Sequence, residues 1–398
     1  MTDFVVVGGG VGGLVAARHL AKGGASVTLV EASDQLGGTV ARHTVGGLVL
    51  DAGAESFANR GNTVADLAVQ LGLGLDVVQP APAPAWLQRG VEAFPLPATS
   101  LLGIPGIPLA KDVIDVVGTG TALRAYLEVL QPAGRGSRSE TLGQLVRARM
   151  GAGMLEKLVA PITYGIHSKH PDELQLDRVA PGLRAALATR GSLARAVQSL
   201  RAQSTAGSAV SGIRGGLHRL VDELAVDLRT YGVEVRFNAR YEPSDVPVVW
   251  AAPPTDVATR VTLVTLVLDA PELDAAPRGS GVLVAHGSPV EARALTHGTA
   301  KWQWLAERAG SGRHVLRLSY SSPPRRPADT ALADASVLLG ASLDPASVID
   351  SAVVEWTRAA PRTQGEPGVT YVGEGTSGTG LANVIAQATS AAEELLTR

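Results

Sequence analysis

The first 38 residues, "MTDFVVVGGGVGGLVAARHLAKGGASVTLVEASDQLGG", confine this chain to a small set of folds. Asp3 to Val7 is an apolar, β-branched run, Val11 to Leu20 repeats apolar residues at helical spacing, and Ser26 to Val30 is a second run of strand length. Between the first strand and the helix, Gly8, Gly10 and Gly13 fill a G-x-G-x-x-G pattern, with Gly9, Val11 and Gly12 between them. The first glycine permits a tight turn and the second lets the backbone approach a pyrophosphate. The third lets helix and strand pack closely while the helix N-terminus faces the negative charge. Glu31, with Ala32 after it, ends the second strand near the distance expected of a carboxylate that accepts ribose hydroxyl hydrogen bonds. A 2′-phosphate would be repelled there, which leaves FAD or NAD.

Small residues recur just downstream. Gly38 and Thr39 come after "EASDQLG", and "LVLDAGAESF" supplies Asp51, Gly53, Ala54, Glu55 and Ser56. Tandem small residues allow a second close backbone approach, which an extended flavin dinucleotide would use. An ordinary loop has the same composition, and glycine alone leaves the two readings open.

A chain of 398 residues exceeds the size at which one core keeps growing, so two or three domains are expected. No uninterrupted apolar run reaches the roughly 18 residues of a membrane span, and no charged n-region or cleavage site opens the chain. A cytoplasmic enzyme is the expectation, and this composition is also compatible with peripheral attachment to a membrane surface. The net charge of −2 and an aromatic content of 4% supply neither the electrostatics nor the stacking platforms of a nucleic-acid binder. The absence of cysteine excludes disulfides, thiolate catalysis, cysteine-ligated metals and a cysteinyl flavin, so a cofactor would be held without a covalent bond.

In the middle of the chain, "PAWLQRG" and "VEAFPLP" read as a hairpin around Arg89 and Gly90, kept at a sheet edge by its prolines. Residues 109–160 are mainly helical in pattern, with a helix start expected at Ser139 and Glu140. Gly118-x-Gly120 is followed by Leu123 where a third glycine would stand, which suits helical packing or a helix break rather than a second nucleotide site. "HSKH", with His167 and His170, lacks the carboxylate of H-E-x-x-H, so no metal site is expected. No G-x-S-x-G elbow supports a serine hydrolase. "SGIRGGLHRLVDELAVDL" places Leu217, Leu220, Val221, Leu224 and Leu228 on one helix face, and from Val261 onward three β-rich runs suggest a separate sheet.

The order of "GGGVGGL", "VEASDQLGG", "LDAGAESF" and "VGEGTSGTGL" resembles the flavin-dependent amine oxidase superfamily. Within it, "GVEAFPLPATSLLGIPG", "APITYGIHSKHPDELQLDRVAPGL", "SGIRGGLHRLVDEL" and "ALTHGTAKWQWL" are similar to the protoporphyrinogen and coproporphyrinogen oxidases of haem synthesis. The resemblance implies an α/β architecture with a discontinuous Rossmann-like FAD-binding domain over 1–75, 205–255 and 365–398. A mixed β-sheet substrate domain would take 76–98 and 256–364, and a helical insertion 99–204. It further implies that Tyr241 contacts the adenine, that Glu55 lies close to the flavin, and that Glu374, Thr379, Gly380 and Leu381 contact the flavin nucleotide. Relatives place several strands between the segment ending at Tyr241 and "VPVVWAAPP", where this chain has only a few residues.

The implied reaction is oxidation of coproporphyrinogen III, or of protoporphyrinogen IX, with oxygen as acceptor and haem-pathway enzymes as partners. The flavin carries the redox chemistry, so the resemblance assigns no catalytic residue. Substrate propionates call for cations in a broad apolar slot. Arg89 is the first candidate, because its hairpin matches a substrate-facing strand of relatives, with Arg60 and Lys301 after it. Several relatives carry a basic residue where this chain has Gly61. An amine oxidase or carotenoid-type desaturase would share the fold, and a non-catalytic flavin or porphyrin carrier is the rival from outside the enzymes.

The chain also closes on a literal G-x-G-x-x-G at Gly373, Gly375 and Gly378. The residues after Gly378 suffice for one helix, from about Leu381 to Leu396, and hold neither a further strand nor a ribose-binding acid. The stretch therefore reads as a return to the first dinucleotide and not as a second site.

Overall fold

The computed structural model describes residues 3–132, 134–167, 169–203, 210–253, 257–359, 365–378 and 380–397. Thr379 and the expected domain limits at 1, 204, 205, 255, 256, 364 and 398 lie outside the described residues.

A five-stranded parallel sheet is assembled from three separate stretches of chain. Its order is Glu234–Arg236, Ser26–Val30, Asp3–Val7, Val248–Trp250 and Val369–Tyr371. Such strands are apolar nearly throughout because helices cover parallel sheets, and Val6, Leu29 and Val249 are accordingly buried. Helix Val11–Lys22 runs one half-turn past the expected Leu20 and packs against both Arg219–Thr230 and Leu381–Leu396, all within one core. Buried Arg18 ties this layer together, with Nε 2.6 Å from Asp227 and Nη1 3.1 Å from Gln70.

Leu220, Val221, Leu224 and Leu228 form the buried stripe of helix Arg219–Thr230, while Leu217, expected on the same helix face, is buried in the turn before the helix begins. Each fully buried leucine contributes about 1.5–3 kcal/mol. The carboxylate of Asp51 accepts hydrogen bonds from the backbone of Leu217 and His218 at 3.0 and 2.8 Å, satisfying donors that the helix start leaves open.

The second sheet has seven strands in the order Val348–Ala359, Val257–Asp269, Arg313–Tyr320, Ala294–His297, Gly281–Val284, Ala85–Arg89 and Glu92–Pro95. All neighbours are antiparallel except Gly281–Val284 with Ala85–Arg89. The hairpin turns at Gly90, whose φ of 58° favours glycine, and Pro95 sits on the edge strand, where a missing donor costs no ladder bond. One face of the sheet buries Val264, Leu266, Leu316 and Leu318 against helix Pro327–Leu339. With a period of two, the alternate residues point to the opposite face.

The remaining layer is helical, from Lys111–Val117 to Leu193–Gln203. Gly118, at φ 83°, separates Lys111–Val117 from Thr119–Tyr126, so the Gly118-x-Gly120 pair marks a helix break. The helix expected to start at Ser139 and Glu140 is capped instead by Thr141. Its hydroxyl accepts from the Gln144 backbone at 3.2 Å while the Gln144 side chain returns to the cap, a reciprocal pair that Ser139 lacks. Fully buried Arg149 pairs with Glu128 at 2.8 Å. His170 receives a hydrogen bond from the Asp172 backbone, and no metal-holding cluster occurs among the described residues. No described helix is long and apolar enough to cross a membrane.

Candidate active site

A cavity of about 1000 Å³ lies between the two sheets. One wall is backbone. Gly8 turns the chain out of the first strand at φ 104°, and a Cβ there would stand 2.8 Å from the Ala252 nitrogen. A Cβ on Gly13 would fall 2.0 Å from the Gly8 carbonyl oxygen, so this glycine is needed for helix and strand to meet. Gly10 differs from both: it lines the cavity, and a Cβ there would meet no protein atom within 4 Å. Its open side faces the cavity.

Gly10 also caps helix Val11–Lys22 with no side-chain hydrogen bond and no acid in the first turn. Gly380, at the head of Leu381–Leu396, is likewise uncapped and acid-free. Two helix N-termini thus offer open N–H groups to one cavity, the arrangement that holds phosphates. The two ends of the chain touch here, since a Cβ on Gly12 would stand 3.1 Å from the Gly373 Cα. The strand before Gly373 belongs to the first sheet, as the reading of a single shared site requires.

Gly37 and Gly38 pack on this turn: the Gly37 nitrogen donates to the Gly9 carbonyl at 2.8 Å, and a Cβ on Gly38 would lie 3.5 Å from the Gly10 Cα. Glu31 accepts from the Gly9 nitrogen at 2.6 Å and from the Ser33 nitrogen at 2.8 Å, which fixes its carboxylate at the cavity wall. Ala32, Thr39, Gly53, Ala54, Ser56, Glu374 and Leu381 line the same cavity. So does Tyr241, edge-on to Trp250 with ring centroids 5.9 Å apart. Gly9 and Gly13 stand behind the lining as supports.

The facing wall is built from side chains on the free face of the seven-stranded sheet, among them Val261, Leu263, Thr296, Arg317, Ser319 and Trp356. At its junction with the backbone wall, Glu55 bonds Lys301 Nζ at 2.6 Å and Arg317 Nη1 at 3.0 Å. Burial by itself would raise the Glu55 carboxyl, but the two cations outweigh it and hold it at about 2. Arg317 also donates to the Gly53 carbonyl, which locks the sheet to the glycine-rich wall.

The structure gives Arg89 and Lys301, two of the sequence candidates for binding substrate carboxylates, partners within the protein. Arg89 does not line the cavity: its guanidinium donates to the Val116 carbonyl at 2.8 Å and lies 5.1 Å from the centre of the Phe94 ring. It serves the end of helix Lys111–Val117, where terminal carbonyls lack partners. Lys301 is committed to Glu55 and stacks near Trp302. Arg60 falls in the turn Arg60–Asn62, and its side chain lies outside the described part of the structure.

Arg240, Arg260, Arg293 and Arg317 line the cavity and were not anticipated from sequence. A signal for Arg317 existed: in "RHVLRLSY" the alternate set His314, Leu316, Leu318 and Tyr320 is buried on the core side, leaving Arg317 and Ser319 on the other face.

The family model described as flavin containing amine oxidoreductase matches residues 11–242. The coproporphyrinogen III oxidase of Mycobacterium leprae is 27% identical, over 90% of this chain and 88% of that protein. The coproporphyrinogen III oxidase of Propionibacterium freudenreichii is 28% identical, over 93% of this chain and 79% of that protein. A crystal structure from Exiguobacterium sp. 255-15, provisionally described as a protoporphyrinogen oxidase, superimposes with a TM-score of 0.81 at 22% identity and covers 100% of this chain and 99% of that one, which establishes the mixed α/β fold. With more than half its length matched by the family model, this chain belongs to the flavin containing amine oxidoreductases and is a flavin-dependent oxidoreductase.

Proposed function

We propose that the protein binds FAD without a covalent bond and oxidises coproporphyrinogen III to coproporphyrin III, with protoporphyrinogen IX as the second candidate substrate and oxygen as acceptor. The observation that carries this reading is the similarity to coproporphyrinogen III oxidases along nine-tenths of the chain, together with a cavity of about 1000 Å³ between the glycine-rich wall and the sheet wall.

The open N–H groups at Gly10 and Gly380 would meet the pyrophosphate, Glu31 the ribose hydroxyls, and Tyr241 the adenine side. Thr39, Gly53, Ala54 and Ser56 would border the flavin ring. FAD bound there would supply the redox chemistry, with one hydride equivalent and one proton leaving the macrocycle in each cycle and oxygen reduced to hydrogen peroxide, while these residues orient the ring and exclude water. Glu55, Lys301 and Arg317 fix the wall at the junction of the two halves, so that ring and substrate approach across rigid surfaces. Leu263, Val261 and Trp356 supply apolar area that excludes water from the faces in contact.

The test is aerobic turnover by the yellow, flavin-loaded protein, monitored through porphyrin fluorescence. A gain above the autoxidation blank with coproporphyrinogen III is expected. No gain with either porphyrinogen overturns the reading, and oxidation of amines in its place supports the amine oxidase alternative.

A further inference from the structure

Charge is distributed unevenly in the cavity. Its lining carboxylates are Glu31, Glu55 and Glu374, all from the segments that build the glycine-rich wall. The sheet wall contributes Arg260, Arg293 and Arg317 and no carboxylate among the described residues. Arg317 is engaged through Nη1 by Glu55 and through Nη2 by the Gly53 carbonyl. Arg260 faces Glu355 at 3.5 Å across exposed side chains.

Arg293 is the exception among the sheet-wall arginines; Arg240, which also lines the cavity, is exposed beside Tyr241 on the glycine-rich side. Its backbone is pinned on both sides, donating to the Ser319 carbonyl at 2.8 Å and accepting from the Val284 nitrogen at 3.0 Å. The residue is half-buried at the cavity wall, and its guanidinium has no hydrogen-bond or ion-pair partner among the described residues. A guanidinium carries five donors in a planar fork, so an arginine held at a cavity wall without a protein partner is free to pair with an anion there. A carboxylate is the ligand whose geometry it matches. A cationic amine would meet repulsion at the same place.

We propose that Arg293 pairs with a carboxylate of the substrate and makes the cavity select anionic over cationic molecules. This deepens the porphyrinogen reading and rests on it. Arg293, and not Arg89, is then the residue that discriminates a macrocycle bearing free propionates from one without them.

The experiment titrates flavin-loaded wild-type, Arg293→Gln and Arg293→Lys proteins with coproporphyrin III and with its tetramethyl ester, reading tryptophan quenching. Flavin absorbance per chain serves as the control for folding. For Arg293→Gln, the dissociation constant for the free acid should rise about tenfold while that for the ester stays put. Arg293→Lys should recover most of the loss, and with coproporphyrinogen III the glutamine variant should show a raised KM at nearly unchanged kcat. An unchanged constant for the free acid in Arg293→Gln, or an equal loss for acid and ester, overturns the inference while wild-type binding leaves the porphyrinogen reading standing. A wild-type protein that binds neither porphyrin and oxidises neither porphyrinogen overturns both.

Discussion

The two walls of the cavity are made differently. The glycine-rich wall is backbone, shaped by where side chains are missing: Gly13 because the Gly8 carbonyl occupies its Cβ position, Gly10 because the cavity does. The sheet wall is side chain, shaped by a carboxylate shared between two cations and by alternation along the strands. A backbone wall fails when an atom is added, and a side-chain wall fails when a charge is removed. That difference sets the order of the effects expected from mutation.

The largest effect belongs to the side-chain wall. Glu55→Gln leaves Lys301 and Arg317 facing each other without their shared anion, and removing one partner of a buried pair costs about 3–5 kcal/mol. The native carboxyl sits at about 2 against an ordinary 4.5. Its contribution is therefore complete above about pH 4.5 and is lost as pH falls toward 2. Denaturant titrations should show wild type and variant far apart at neutral pH and converging through that acid window. A gap independent of pH would mean that packing, not charge, holds the junction.

Next comes Gly13→Ala, which forces the first helix away from the Gly8 turn. Overpacking of this kind costs roughly 1–3 kcal/mol, and the purified protein should be both less stable and pale. Gly10→Ala separates the two properties. Its φ of −71° suits alanine and the new methyl touches no protein atom, so stability should change by less than about 0.5 kcal/mol. Flavin affinity should nevertheless fall by about tenfold, or roughly 1.4 kcal/mol. Thermal melting of the apoprotein and flavin titration read the two quantities independently, and equal losses at both glycines would erase the distinction between packing and cradle.

The smallest effect on catalysis is expected at Arg89→Ala. Loss of its hydrogen bond to Val116 should cost about 1 kcal/mol of stability, while the KM for a porphyrinogen stays unchanged. A raised KM would put the hairpin back into the cavity and weaken the case for Arg293.

The same contrast explains what the sequence disclosed. A backbone wall is written in local spacing: Gly8, Gly10, Gly13 and Glu31 are close in sequence, and the motif states their geometry. The closing helix could be placed at Leu381–Leu396 because its apolar pattern and glycine start are local too. The sheet wall depends on register between distant strands. Arg317 meets Glu55 only because Arg313–Tyr320 pairs with Val257–Asp269 and Ala294–His297, and a shift of one residue would turn it into the core. Arg89 was legible as a hairpin arginine, but the direction of its side chain was settled by helix Lys111–Val117, whose carbonyl it meets. Likewise, the Thr141 cap was set by its reciprocal bond with Gln144, which composition near Ser139 did not reveal.

The most direct measurement of the central claim, one cavity in which a flavin and a porphyrinogen face each other, is anaerobic mixing of the flavin-loaded protein with coproporphyrinogen III. Bleaching of the flavin absorbance together with the rise of porphyrin absorbance is predicted, and the yellow colour should return on admitting air. Flavin that stays oxidised in the presence of the porphyrinogen, yet bleaches with a simple amine, would contradict the account.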